Sequence, residues 1–189
     1  MKKQILLAGV LSALTLPALA EGFYVVGDVG ESKVEFDAGN NYSLSKTDTT
    51  YSLGVGFDIN NFFAIEVAYR DLGTIKDDGD DFDQYGDYSW STKVDTTAIQ
   101  ASVVGKLPIS DVFDIYGRLG FAKIDVDYKY SEDTGYRESS SDSENKALFG
   151  VGASFNVTPE FAIRAEYNQY AKIEDTKFSA LTVGATYRF

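Results

Sequence analysis

From Phe23 onward, large apolar residues alternate with small or polar ones at a period of two, which marks β-strands rather than helices. In the last segment Leu181, Val183, Ala185, Tyr187 and Phe189 share one face, and Ala180, Thr182, Gly184, Thr186 and Arg188 the other. Segment 161–168 sets Phe161, Ile163, Ala165 and Tyr167 against Ala162, Arg164, Glu166 and Asn168. Segment 62–70 sets Phe63, Ile65, Val67 and Tyr69 against Ala64, Glu66, Ala68 and Arg70. Segments 50–58 and 147–156 repeat the pattern, with Ser52, Gly54 and Gly56, then Gly150, Gly152 and Ser154, on the minor face. In a soluble sandwich the polar face carries long charged side chains. Here it is mostly Gly, Ala, Ser and Thr, which suit a crowded interior, while the large apolar set suits lipid. The expected fold class is all-β, an eight-stranded antiparallel transmembrane up-and-down β-barrel. Its strands fall near 23–30, 50–58, 62–70, 94–105, 113–127, 146–156, 161–170 and 178–189.

Connection lengths alternate too. Residues 58–61, 107–111 and 156–160 read as tight turns, and 31–48, 71–92, 129–145 and a shorter stretch near 171–177 as long polar outer loops. Short turns on the periplasmic side and long loops outside are the outer-membrane arrangement, and closure removes exposed sheet edges. Phe57, Phe62, Tyr69, Phe113, Phe155, Phe161, Tyr187 and Phe189 stand at strand ends, where aromatic girdles form. Ahead of the barrel, Met1-Lys2-Lys3 precedes an apolar run from Ile5 to Leu16, then Pro17 and the small residues of Ala18-Leu19-Ala20. This reads as a secretory signal peptide over 1–20, cleaved before Glu21 and leaving a barrel over 21–189. Without Lys2 and Lys3 the net charge moves from −12 to −14.

That charge, from 17 basic and 29 acidic residues in 189, argues against nucleic acid as a partner. The absence of Cys and His removes thiol chemistry, disulfides, ordinary zinc sites and every imidazole-based triad. The chain is therefore expected to be non-enzymatic, with no cofactor and no metal. The 13 Tyr and 13 Phe go to the girdles and lipid face, and most of the 17 Gly to the interior.

Three stretches carry a resemblance: Pro108-Ile-Ser-Asp-Val-Phe-Asp-Ile-Tyr-Gly-Arg-Leu-Gly120, Thr158-Pro-Glu-Phe-Ala-Ile-Arg-Ala-Glu-Tyr167 and Gly184-Ala-Thr-Tyr-Arg-Phe189. With them the chain resembles the transmembrane domain of the outer membrane protein A family and its small eight-stranded relatives. The resemblance implies a bacterial outer-membrane location and contact with outer-membrane lipid and lipopolysaccharide. It also implies biogenesis through periplasmic chaperones and the barrel-assembly machinery, whose C-terminal signal Leu181, Val183, Tyr187 and Phe189 resemble. Longer members continue into a peptidoglycan-binding periplasmic domain, which is not expected in a chain ending at Phe189. Members of the family carry a lumenal ion-pair network. Here Asp28, Glu66 and Glu166 would face Arg118 and Arg164, with Asp28 where the family often has a Lys, and Gln100, Ser102 and Val104 inward without the family's Lys.

These interior charges read as a salt-bridge plug that fixes register, with a switchable ion path as the alternative. The second cluster is the acidic loop 71–95, with Asp77, Asp78, Asp80, Asp81, Asp83 and Asp87. It lacks the distal Glu of an EF-hand and reads as a solvated loop rather than a cation site. Glu138 to Glu144 reads as a polar loop tip. The expected role is structural, maintaining the envelope. The alternatives are an adhesin acting on an unidentified surface ligand through its outer loops, and a low-conductance pore.

Overall fold

A computed structural model describes residues 22–37, 43–83, 86–171 and 176–189. The expected export signal at 1–20 lies outside the described residues. Eight strands follow one another: β1 (Phe23–Asp37), β2 (Ser43–Asp58), β3 (Phe63–Asp83), β4 (Gly86–Pro108), β5 (Phe113–Glu132), β6 (Arg137–Asn156), β7 (Phe161–Tyr170) and β8 (Thr176–Arg188). Each pairs antiparallel with the next, and β1 pairs with β8 to close an up-and-down barrel. The tight turns are built from local side-chain acceptors. Asn60 Oδ1 receives the Phe62 and Phe63 amides at 2.8 and 2.9 Å, and Thr158 Oγ1 receives the Phe161 amide at 3.0 Å.

Burial is inside out relative to a soluble barrel. On β5, Leu119 is 64% exposed and Phe121 72%, while Arg118, next to Leu119, is 2% exposed. Apolar side chains such as Val55, Ile65, Val67, Ile99, Val151 and Val183 all point outward. An eight-stranded barrel has an interior just wide enough for side chains, and buried side chains fill it here. Gly56 lies beneath the Tyr24 ring, where an added Cβ would come within 2.1 Å of Tyr24 Cζ. A glycine there is what lets the tyrosine lie across the lumen.

The strands run well past the expected boundaries. β4 has 23 residues, against about 9–11 needed to cross the hydrocarbon. The stretches expected as loops over 31–48, 71–92 and 129–145 are largely paired strand. Outside the membrane both faces of a ribbon are wet, so no face must be apolar and the period-two signal fades while backbone pairing persists.

This extension is lopsided. β2 and β3 pair only up to Tyr51 and Asp71, and β6 and β7 only up to Leu148 and Tyr170. Beyond those points β3, β4, β5 and β6 continue together as a four-stranded wall on one side of the barrel, while β8, β1 and β2 continue as a shorter extension to the Asp37–Ser43 and Phe36–Thr176 pairs. A bulge between Asp71 and Gly73 marks where β3 leaves β2. Leu72, 2% exposed, stays in the lumenal row of Ala68 and Arg70, and the extra residue inverts the alternation from Gly73, whose φ is 101°, so that Thr74 and Lys76 fall in register with Asp95 and Lys93. The Ser32 and Thr50 hydroxyls donate to the Leu72 and Asp71 carbonyls, both at 2.5 Å. The acidic stretch 72–83 is thus an edge strand, and the serine-rich 137–147 is the opposite edge. Charge on such edges discourages pairing with another chain.

Candidate functional site

The alternation of β3, β5 and β7 brings four charged residues to one level of the lumen, all nearly fully buried: Glu66, Arg118, Arg164 and Glu166. Each arginine bonds both glutamates. Arg118 pairs with Glu66 through Nη2, and meets Glu166 through Nε at 3.1 Å and Nη2 at 3.1 Å. Arg164 meets Glu66 at 3.0 Å and Glu166 at 2.6 Å. The planar guanidinium fork suits such double engagement. Tyr24 Oη donates to Glu66 at 2.8 Å, Arg118 donates to Ser102 Oγ at 2.6 Å, and Asn168 donates to Glu166. The Tyr116 ring lies under the Arg164 guanidinium at 5.3 Å.

Asp28 does not join this ring. Its partner is Arg70, with Nη1 to Oδ1 at 2.9 Å, and the Ser52 hydroxyl donates to Asp28 Oδ2 at 2.6 Å. The expected set of three carboxylates against two arginines is therefore incomplete. Arg70, 0% exposed, makes the buried set three against three, and neutral. The signal was present in the sequence, because Arg70 shares the β3 face of Glu66. A charge at the end of an inward-facing row in a narrow lumen needs a partner.

The charged layer is enclosed. Toward the short turns lie Tyr24, Val26, Ala64, Val104 and Tyr116 as one apolar cluster. Toward the outside a second cluster includes Leu72, Ile124, Leu148, Tyr170 and Phe178. The cavity beside Glu66 and Arg164 on the periplasmic side measures about 30 Å³, room for one water. Below it Asp58 bridges Lys106 at 2.5 Å and Arg188 at 3.2 Å. The inward positions Gln100, Ser102 and Val104 are buried as expected.

On β8, Leu181, Val183 and Tyr187 point to the lipid side, and Tyr187 meets the Phe189 ring at 5.3 Å. The Phe189 amide donates to the Phe23 carbonyl at 3.1 Å, joining the two ends of the described barrel. The acids of 71–95 do not form a loop cluster. The backbone that carries them is a paired ribbon, and among the described residues no group of three or more converges as metal ligands do.

Known proteins share this architecture. The crystal structure of Neisserial surface protein A superposes with a TM-score of 0.64 at 18% identity, covering 89% of this chain and 97% of that one. The crystal structure of the attachment invasion locus protein of Yersinia pestis, in complex with the heparin analogue sucrose octasulfate, gives 0.58 at 22%, covering 88% and 99%. In sequence, the attachment invasion locus protein of Yersinia pseudotuberculosis is 24% identical across 100% of this chain and 98% of its own length. Outer membrane protein P5 of Haemophilus influenzae is 29% identical over 142 residues, 71% of this chain. The chain spans only 38% of the length of that curated relative. The model of the outer membrane protein beta-barrel domain matches residues 5–189, and the chain belongs to that family of bacterial outer-membrane proteins.

Proposed function

We propose that this outer-membrane barrel is a closed, non-catalytic envelope element whose lumenal charges lock strand register and block the lumen. The observation that carries the reading is the neutral ring of Glu66, Arg118, Arg164 and Glu166, sealed between two apolar layers. A switchable path needs a charge with an open route beside it. Here every guanidinium holds its carboxylates in a water-poor interior, where breaking one contact is costly. The same enclosure keeps substrate from the buried carboxylates, and the chain has no histidine to serve as base. Export through the 1–20 signal, and assembly read from Leu181, Val183, Tyr187 and Phe189, complete the reading. Planar-bilayer recording of the refolded protein tests it. No steady openings are expected at low voltage. Steady openings abolished by Arg164→Gln would overturn it.

A second reading, surface attachment, is favoured by the four-stranded wall that stands outside the bilayer on one side of the barrel. Excising 78–91 and closing the Asp77–Thr92 pair with a two-residue turn removes its tip. On this reading autoaggregation or adhesion of expressing cells falls, and unchanged adhesion removes the reading.

A further inference from the structure

One strand of the wall, β5, keeps its alternation above the membrane. Ile124, Val126, Tyr128 and Tyr130 continue the lumenal row of Ala122, while Asp125, Asp127 and Lys129 continue the lipid-facing row of Phe121. A ribbon wet on both faces has no reason to keep one of them apolar. The register carries the same side across the wall. Ile75 on β3, Val94 on β4 and Tyr128 form one row, Asp77, Thr92 and Tyr130 the next, and Gly79 and Trp90 the one above. The Trp90 indole lies over Gly79, where an added Cβ would come within 2.6 Å of its Cζ2. Val126 packs against the lumenal cap of Leu72, Ile124 and Phe178, so apolar surface continues from the cap up to Trp90. Tyr128 is 37% exposed and Ile75, Val94 and Trp90 are half-buried, and among the described residues no strand lies across them.

Charge narrows the partner, because it is sorted between the two faces. Lys76, Lys93, Lys123, Lys129 and Arg137 all fall in the outward rows. Among the described residues the inward rows of the wall hold Asp77, Glu132, Glu138, Asp142 and Glu144 with a single cation, Lys146, which Glu144 holds at 2.6 Å. Lys46, reaching in from β2, donates to the Lys76 carbonyl at 3.1 Å. Asp77, Glu132, Glu138 and Asp142 join no ion pair among the described residues. The inner face is thus an apolar strip edged by carboxylates on β3, on β6 and at its top. What complements it is apolar on one side and cationic at its margins. From Thr96 to Trp90 the strip spans six residues, about 20 Å of strand, the length of a helix of about 13 residues. We propose that the inner face of the wall binds a cationic amphipathic segment of a partner protein. Its apolar side lies on Val94 and Tyr128, and its lysines or arginines meet Asp77, Glu138 and Asp142. The proposal rests on the reading of the wall as an attachment surface and is independent of whether the lumen conducts.

The test uses the refolded chain in a zwitterionic detergent, titrated with a synthetic leucine–lysine amphipathic helix of about 14 residues. The same peptide with glutamate in place of lysine is the control. Trp90, the only tryptophan, reports from the face itself by its emission and its shielding from acrylamide. The lysine peptide is expected to give a saturable blue shift that weakens in salt. The triple variant Asp77→Asn, Glu138→Gln, Asp142→Asn loses affinity on the order of tenfold or more, from several screened charge contacts. Tyr128→Ser also binds more weakly, whereas Lys93→Gln with Lys129→Gln on the outer face binds no more weakly than the parent. The triple variant Asp77→Glu, Glu138→Asp, Asp142→Glu retains binding, which guards against a loss through misfolding; heat-dependent gel mobility checks every variant. Equal binding of the glutamate peptide, or parent-like affinity in the neutral triple variant, overturns the proposal. If excision of 78–91 lowers adhesion while the lysine peptide does not bind, the attachment reading stands and its cationic partner falls.

Discussion

The barrel body and the outer wall are built from the same continuous strands and obey opposite rules. Along β4, Gln100, Ser102 and Val104 fill a lumen while Ile99 and Val103 meet lipid. Farther up the same strand, Lys93 and Asp95 on the outward side are polar and partly wet. The body closes on itself and has no edges. The wall has two, β3 beyond the bulge and β6 beyond Leu148. A polar ribbon without a core is marginal alone, yet this one inherits its register from a closed barrel below. Stability is therefore concentrated in the body, and the wall is free to vary its surface chemistry.

The sharpest way to break that contrast is to remove a charge from the body. Arg118→Ala would leave Glu66 and Glu166 buried with only Arg164 between them and would orphan the Ser102 contact. Removing one partner from a buried ion-pair network costs about 3–5 kcal/mol. Urea unfolding in detergent, followed by heat-dependent gel mobility, should show the loss. Arg118→Lys keeps the charge, gives up the two-armed contact and should fall between the variant and the parent. A midpoint in Arg118→Ala equal to that of the parent would mean the ring does not hold the barrel.

The contrast also explains what the sequence revealed. The body was legible because lipid on one side and a packed lumen on the other force alternation on every strand. The strand β7 is observed over the expected 161–170, and the even strand count follows from the same pattern. The wall was not legible as strand, because Asp77, Asp78 and Asp80 are exposed on both faces and leave no periodic trace. The ion pairs were half visible. Alternation puts Glu66, Arg118, Arg164 and Glu166 inside, but it cannot say which strand levels meet, since that depends on the stagger of a closed barrel. Alternation alone therefore groups Asp28 with the central ring, whereas the stagger brings it to Arg70. The Asp71–Gly73 bulge had only its glycine as a local cue.

Cutting the wall should cost far less than cutting the ring. Excision of 78–91 removes the upper β3–β4 ribbon and the Trp90–Glu132 pairing, but touches no buried lumenal residue. The unfolding free energy of the shortened chain should stay within about 0.5 kcal/mol of the parent, the range of changes at exposed sites. A shift comparable to that of Arg118→Ala would show that the wall carries part of the barrel's stability.

The smallest effect sharpens the same boundary through pH. Partial burial pushes the Asp95 carboxyl up, but the bonds from Lys93 and Thr74 outweigh it and hold the group below the usual aspartate range. A carboxyl lowered in the folded state contributes stability that is fully present above its unfolded value, near 4, and is lost as pH falls through the lowered folded value. Because Lys93 is substantially exposed, the contribution is about 0–1 kcal/mol and shrinks in salt. NMR titration of the Asp95 side chain should show a depressed midpoint, and Asp95→Asn should abolish the matching pH-dependent shift of the Lys93 ammonium. The barrel should keep its heat-dependent mobility through that titration, since Asp95 and Lys93 hold only the wall. If the mobility changed with the Asp95 midpoint, and Asp95→Asn removed the change, the wall and body would be one cooperative unit rather than a rigid barrel with a polar extension.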